Sequence, residues 1–310
     1  MNRSDDLLKY LSTTDDPVAI IVTPNAPPVS RTSAGIRVAL NLVLDPGDVF
    51  ETLTALYAKA IHSGLATLQQ SGTFSFSLRE VGRIRVSYIT QRGSKAFSIV
   101  LVSSTIPEPL SICDNPLVLD PLVDMLCHPR AGILAVFGPS IISNSVFVYS
   151  LIQKANTLSR HVVYILERSL TCLVSHAESI VIQAELGVDV PSLEEGIQNA
   201  FLFEPEVLYL GDIRPSDEVP SLVHAIDAGA FVIVNSSSMH GEGLVQKFRP
   251  QLRESVSTGQ FISAIARITP ADGRKVVVEL TSNSQYGSRL TGKTNSAAAD
   301  RETSASIEPQ

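Results

Sequence analysis

Few residues of this sequence have the type and spacing that metal or acid–base chemistry requires. The cysteines Cys113, Cys127 and Cys172 are widely spaced and form no C-x-x-C pair. We therefore expect idle thiols in a reducing compartment rather than a structural zinc site. Two carboxylates, Glu167 and Asp212, stand at the ends of short apolar runs. A carboxylate in that place can serve catalysis, or it can be a solvated, salt-bridged or capping acid.

The composition favours a folded protein with an acidic surface. The 310 residues suffice for one large domain or two ordinary ones, and 44% hydrophobic against 18% charged residues can supply a sizeable core. The net charge of −7 disfavours a basic surface for nucleic acid or anionic membranes. The opening residues are polar, and no apolar run approaches the roughly 20 residues of a membrane helix. We expect a cytoplasmic protein without a nucleic-acid partner.

The elements that must position these residues fall into two regions. The first region, 1–104, predicts an α+β domain with a short amphipathic helix at Asp6–Leu11. A longer helix is expected from Asp48, with Glu51 at capping-box spacing and Gly64 at its end. The other predicted elements are strands around 74–78, 84–88 and 97–102 and a Pro-, Ser- and Thr-rich loop at 23–33.

In the second region, 105–281, short apolar strands alternate with helical stretches. The predicted strands are Ile133–Phe137, Val162–Leu166, Val207–Leu210 and Phe231–Val234. They lack polar alternation, which is typical of a sheet covered on both faces. A helical face at 147–155 follows the first strand and gives the strand–loop–helix–strand pattern of a nucleotide-binding α/β domain. A late hairpin is expected over 261–280, turned at Asp272-Gly273. Residues 282–310 contain almost no large apolar side chain, which predicts a disordered tail.

Five segments match one protein family in order and spacing. They are "SGTFSFSLREVGRIRVSYITQRGS" (71–94), "TIP" (105–107), "AVFGPSIISNS" (135–145), "FEPEVLYLGDIR" (203–214) and "DAGAFVIVNSSS" (227–238). In this order they resemble the PAS-like domain, interdomain joint, Walker A, Walker B and His-box segments of the PilT-type pilus and secretion ATPases. The short length and the lack of a tetracysteine element are more similar to the retraction branch.

The resemblance implies a fold and an assembly. Residues 1–104 would form a PAS-like α+β domain and 105–281 a RecA-like P-loop NTPase-fold domain, followed by the tail. Family members are hexameric ATP hydrolases, so the resemblance implies a homo-hexamer or a hetero-hexamer with paralogous pilus ATPases. It also implies contact with a pilus inner-membrane platform protein, at which this cytoplasmic chain would be peripheral. In the family, the surface that carries Arg83, Arg85 and Arg92 packs on the next subunit.

The segment at the Walker A position departs from the pattern G-x-x-x-x-G-K-[ST]. Its eight residues are Gly138, Pro139, Ser140, Ile141, Ile142, Ser143, Asn144 and Ser145. Gly138 and Ser145 match, whereas Ser143 replaces the second glycine and Asn144 the lysine. The loop binds phosphate through backbone N–H groups, in a geometry that glycine allows cheaply. Asn144 brings no positive charge, and losing such a clamp costs on the order of 3–4 kcal/mol of transition-state stabilisation. We expect Gly138, Pro139, Ser143, Asn144 and Ser145 to form a degenerate nucleotide site.

The remaining family motifs are altered as well. In the acidic box Glu167 keeps the first acid, whereas Arg168 and Thr171 replace the second and third. Walker B keeps Asp212, followed by Arg214. The other matches are Ser237 for the His-box histidine, with His240 three residues on, and Gln198 and Leu202 for two inter-subunit arginines. We expect Glu167, Asp212 and Arg214 to be catalytic remnants.

Together these departures favour a pseudo-ATPase. The expected function is that of a non-catalytic PilT-like subunit or regulator of a type IV pilus (twitching motility) or of a related secretion motor. No cofactor is expected, and ATP with Mg²⁺ would bind only if the degenerate site still holds it. Two alternatives stay open, namely an active ATPase with an unusual nucleotide site and a stand-alone protein-interaction module.

Overall fold

The computed structural model describes residues 3–13, 19–32, 35–60, 68–79, 81–212, 222, 224–226, 228–237, 262–270 and 276–282. These form a mixed α/β fold with two sheets. They divide into two compact units. The first comprises the described residues of 1–106, 166–176 and 181–198, and the second those of 107–165, 177–180 and 199–310. The α/β class predicted from the sequence is confirmed.

The first sheet is antiparallel throughout, in the strand order β3-β2-β1-β6-β5-β4. Its elements are α1 (Arg3–Thr13), β1 (Ala19–Val22), β2 (Val29–Thr32), β3 (Gly35–Val38), α2 (Pro46–Ala60), β4 (Gly72–Leu78), β5 (Gly82–Gln91) and β6 (Ser94–Leu101). Alternate side chains of the strands, such as Ile84 and Val86, pack with Leu7 of α1 and Leu53 of α2 in one core. The period-2 pattern therefore identified the buried face of β4 and β5 correctly.

Helix α2 begins two residues before the sequence predicted. Asp45, not Asp48, is its N-cap, and Pro46 occupies the first helical position, where its fixed φ is already suitable. The Asp48 N–H donates to Asp45 Oδ1 at 2.8 Å, and the Asp45 N–H donates to Asp48 Oδ2 at 3.3 Å. Asp48 is thus the return partner of a capping box. The predicted helix end at Gly64 lies outside the described residues.

The predicted loop at 23–33 was wrong at its end, because β2 occupies residues 29–32. β2 pairs with β1 on one side and with β3 on the other, so these residues belong to the sheet and not to a connecting loop. The signal was weak, since the strand has the sequence VSRT and Ser30 is the only fully buried residue among Val29, Ser30 and Arg31.

The second sheet has seven strands in the order β13-β12-β7-β11-β10-β8-β9. The elements that follow β6 are α3 (Pro109–Ile112), α4 (Pro116–Cys127), β7 (Gly132–Phe137), α5 (Ile141–Asn156), β8 (Val162–Glu167), β9 (Ile180–Glu185), α6 (Leu193–Phe201), β10 (Val207–Leu210), β11 (Phe231–Ser236), β12 (Ile262–Pro270) and β13 (Val276–Ser282). β10, β11, β7 and β12 run parallel, and every residue of β7, β10 and β11 is buried. This matches the prediction from their unbroken apolar runs.

The late hairpin is confirmed, because β12 and β13 pair antiparallel from Ala264–Ser282 to Pro270–Val276. Its predicted turn at Asp272-Gly273 and the predicted tail after Ser282 lie outside the described residues. No element was predicted from the sequence at β1, β3, α3, α4, β9 or α6. No described helix is long and apolar enough to cross a membrane.

Candidate functional site

The connection at the Walker A position is short and its end is already helical. β7 ends at Phe137 and α5 begins at Ile141, so only three residues lie between them. Ser140 caps the helix. Its Oγ accepts the N–H of Ser143 at 3.2 Å, and its carbonyl accepts the N–H of Asn144 at 3.0 Å. A phosphate-binding loop presents such N–H groups to its ligand. Here two of them are bonded inside the protein.

Asn144, at the position of the Walker lysine, is completely buried. Its Nδ2 donates to the carbonyl of Gly138 at 3.3 Å and to that of Ser236 at 3.1 Å. Among the described residues its Oδ1 has no hydrogen-bond partner. The side chain therefore points beneath the connection and joins it to the end of β11.

Gly138 is needed for close packing at this place. A Cβ at Gly138 would contact Oδ1 of Asn144 and would lie 2.8 Å from the carbonyl oxygen of Ile268. Any side chain would therefore displace the Asn144 amide and the backbone of β12. The surviving glycine of the Walker pattern has a structural reason that involves no phosphate.

Ser145, which matches the last position of the Walker A pattern, is buried in a polar network. Its Oγ lies 3.0 Å from Tyr209 Oη, and Asn235 Nδ2 donates to both, at 2.8 Å and 3.1 Å. Sequence reasoning missed Tyr209 of β10 and Asn235 of β11. Their signal was a polar group inside an otherwise apolar buried strand, because such a group needs a hydrogen-bond partner.

Glu167 also has local partners. It is 3% exposed, and its Oε2 accepts the N–H of Thr171 at 2.9 Å. The backbone carbonyl of Glu167 accepts the N–H of Leu186. The first and third positions of the predicted acidic box thus bond to each other and close a turn.

The other predicted catalytic positions are only partly described. Asp212 follows β10 with φ +55, a left-handed conformation that aspartate tolerates better than most residues. Ser237 is exposed directly after β11, whereas Arg214 and His240 lie outside the described residues. Gln198 lies in α6, and Leu202 is 78% exposed just after it. The described residues contain no group of three or more His, Cys, Asp or Glu placed to hold a metal ion.

The three predicted interface arginines differ in their surroundings. Arg83, in the first unit, contacts Glu185 Oε2 at 3.1 Å and Asp189 Oδ2 at 3.4 Å, and Glu185 is 1% exposed at its side chain. Burial lowers the pKa of Arg85 below its usual value, while the carboxylates of Glu185 and Glu167 oppose that shift. Arg92 is exposed at the turn between β5 and β6, with φ +48.

Glu185 was not identified from the sequence, although it is the centre of this cluster. Besides Arg83, it accepts a hydrogen bond from Ser75 Oγ at 2.9 Å. Ser75 of β4 and Arg83 of β5 therefore both bond to Glu185 at the end of β9, the first through a hydrogen bond and the second through an ion pair. The only signal was an acid at the end of an apolar run, as at Glu167.

Comparison with known proteins gives two relatives by sequence, although no family model matches the chain. PilU of Pseudomonas aeruginosa, a type IV pilus ATPase, is 21% identical over 285 residues, which cover 88% of this chain and 73% of PilU. Over most of its length the chain is thus similar to a type IV pilus ATPase. A second relative, the uncharacterized protein YggR of Escherichia coli, is 24% identical over 230 residues, or 70% of this chain and 69% of YggR.

Solved structures of PilT-like ATPases have the same fold. The pilus retraction motor PilT with bound ADP superposes with a TM-score of 0.67 at 22% identity, covering 89% of this chain and 84% of PilT. The Legionella pneumophila ATPase DotB gives a TM-score of 0.64 at 15% identity, with 95% and 84% covered. The α/β fold with two sheets is therefore that of PilT-like ATPases.

Proposed function

We propose that the chain is a non-catalytic PilT-like subunit or regulator of a type IV pilus or of a related secretion motor. The observation that carries this proposal is the position of Asn144. It replaces the Walker lysine, is completely buried and donates both of its amide N–H groups to backbone carbonyls. A residue so placed supplies neither charge nor a free donor to a triphosphate.

The neighbouring groups support the same conclusion. The Ser145 hydroxyl that would hold Mg²⁺ is bonded to Tyr209 and Asn235, and the Glu167 carboxylate is bonded to Thr171. Each group would have to leave a buried partner before it could serve a nucleotide, and an abandoned buried partner is costly. Binding of ATP and Mg²⁺ would have to offset these losses.

The assembly is inferred from the family. We take residues 1–104 as a PAS-like domain and 105–281 as a RecA-like domain, in a homo-hexamer or a mixed hexamer with an active paralogue. The pilus role is suggested by the similarity to the type IV pilus ATPase PilU. A pilus inner-membrane platform protein is the second partner that this role implies, and it would hold this cytoplasmic protein at the membrane.

Arg92 is the arginine with which to test the subunit interface. Arg83 and Arg85 have carboxylate partners within their own unit. Replacing either would disturb the fold as well as a partner surface. Arg92 is exposed at a hairpin turn, so a charge reversal there should leave the fold intact.

The test of assembly is co-expression with an intact retraction ATPase from the same genome, followed by native mass spectrometry. Wild-type chain should enter mixed rings, and Arg92→Glu should enter them less, at unchanged melting temperature. Arg31→Glu, at another exposed arginine of the first sheet, is the matched control and should enter as wild type does. Persistent monomer with and without the paralogue would favour the interaction-module alternative.

The test of catalysis is calorimetric titration with Mg-ATP together with a phosphate-release assay. We expect no tight binding, and no turnover from the wild type or from Asn144→Lys, because catalytic groups act as a unit. A dissociation constant in the low micromolar range, or turnover near roughly 1 s⁻¹, would establish an active ATPase with an unusual site.

A further inference from the structure

The connection between β7 and α5 is closed by a side chain of the protein itself. Asn144 bonds the carbonyl of Gly138, at the start of the connection, and the carbonyl of Ser236, at the end of β11. We propose that Asn144 is a built-in clasp that holds residues 138–144 in one conformation without any ligand, so that nucleotide does not switch this part of the chain. This goes beyond the absence of catalysis, because a dead site could equally be left open and mobile.

The clasp is specific in its chemistry. Both partners are carbonyl oxygens, so only a donor fits, and both donors come from one amide nitrogen. The site is fully buried at Asn144 and Gly138. Water cannot replace a lost bond there without an opening of the connection. Asp at position 144 has nearly the same shape but would set a carboxylate against two carbonyl oxygens.

Three further contacts fix the same turn. Ser140 accepts the N–H groups of Ser143 and Asn144. Asn235 Nδ2, which donates to Ser145 and Tyr209, also lies 3.4 Å from the carbonyl oxygen of Ile141. Gly138 leaves space for the Asn144 amide between the connection and Ile268. Residues 138–144 are thus held by β11 and by their own helix cap, and Gly138 packs closely against β12.

A lysine at position 144 cannot replace the clasp. A lysine side chain is longer than that of asparagine, and its ammonium group would be a buried charge beside Gly138 and Ser236. Neither of these two hydrogen-bond partners of Asn144 has a carboxylate that could pair with the charge. Since an unpaired buried charge is strongly disfavoured, the connection would have to open to expose it. Asn144→Lys should therefore loosen residues 138–144 even if no nucleotide binds.

The experiment is hydrogen–deuterium exchange of the full chain, read at the amides of Ser143 and Asn144. In the wild type without ligand these amides should exchange as slowly as those in the middle of α5, and Mg-ATP should change nothing. Asn144→Ala and Asn144→Asp should speed their exchange by at least about tenfold, the expected size for two buried carbonyls left without a donor. Exchange in the last turns of α5 should stay as in the wild type.

Asn156 is the matched control. It is another buried asparagine of α5, about 18 Å along the helix from Asn144. It acts in the opposite sense, because its Oδ1 accepts the N–H groups of Ala177 and Ser179. Asn156→Asp keeps that acceptor and should leave exchange at Ser143 and Asn144 within about twofold, as expected for distant sites.

Three results would overturn the clasp. They are fast exchange at residues 143–144 in the wild type, unchanged exchange there in Asn144→Ala, and clear protection on adding Mg-ATP. The wild-type measurement decides even if a variant fails to fold. The proposed function is tested separately. ATP turnover together with slow exchange in the first turn of α5 would contradict the proposed function and leave the clasp intact. Fast exchange without nucleotide binding would do the reverse.

Discussion

Two short segments of this protein correspond to family motifs, and they differ in how closely they keep the family sequence. The turn between β5 and β6 has Arg92 and Gly93 at its centre, both with positive φ, and joins paired residues Gln91 and Ser94. That is the backbone of a two-residue hairpin turn, and it follows the family sequence "QRG". The Walker A segment 138–145 has lost the family lysine and one glycine, and its second half is the start of α5. In the first turn the backbone requires Gly93, which the family sequence keeps. In the second, the residues that depart from the pattern bond to the protein's own backbone, as Asn144 does to Gly138 and Ser236.

The largest expected effect concerns residues 71–94, the segment that stays close to the family sequence and contains the turn between β5 and β6. Arg83→Ala should lower the free energy of unfolding by about 3–5 kcal/mol, because it removes the cation in direct contact with the buried Glu185. Urea unfolding followed by circular dichroism measures this. Arg92→Ala, at an exposed site, should change it by less than about 0.5 kcal/mol. Equal losses in the two variants would show that the ion pair of Arg83 contributes nothing special.

The next effect tests the altered connection. Gly138→Ala should cost about 1–3 kcal/mol, since the added methyl group would contact Asn144 and the Ile268 carbonyl. The same unfolding measurement applies, and Pro139→Ala at the exposed neighbour is the control. A stability close to that of the wild type would mean that Gly138 has no packing role.

A gain in stability is expected from one substitution in the turn between β5 and β6. Arg92→Asn should raise the free energy of unfolding by a few tenths to about 1 kcal/mol, because asparagine adopts positive φ more readily than arginine in this turn. If Arg92 serves a partner surface, the more stable variant should also enter mixed rings less. A variant that is neither more stable nor worse at assembly would remove the reason for an arginine here.

The smallest effect is a difference in thiol reactivity between Cys172 and Cys127, which tests whether the first unit keeps Cys172 buried in solution. Burial, with a smaller contribution from Glu167, raises the pKa of Cys172 to about 12. At pH 8 its thiolate fraction is roughly one in ten thousand, so iodoacetamide should leave it unmodified while the partly exposed Cys127 reacts. Mass spectrometry of the labelled native protein decides this. Fast labelling of Cys172 would show that the unit opens.

Much of the fold could be predicted from the sequence, because local patterns decide it. Period-2 alternation identified the buried face of β5, and unbroken apolar runs identified β7, β8, β10 and β11. Two of the missed elements lack such a pattern. β2 has the largely polar sequence VSRT, and α4 carries Pro116 and Pro121, which indicate helix breaks although Pro116 starts the helix.

The sequence by itself determined which functional groups are missing, since Asn144 at the lysine position and Ser143 at the glycine position are read directly. Only the tertiary structure decided what the remaining groups do. The partners of Asn144, Ser145 and Arg83 lie 92, 64 and 102 residues away along the chain, at Ser236, Tyr209 and Glu185. Hydrogen bonds and ion pairs form between atoms that packing brings within about 3 Å. Spacing along the sequence does not show which distant atoms packing brings together. A substitution at a family motif therefore reads the same in the sequence whether the new residue has no partner or forms a structural contact.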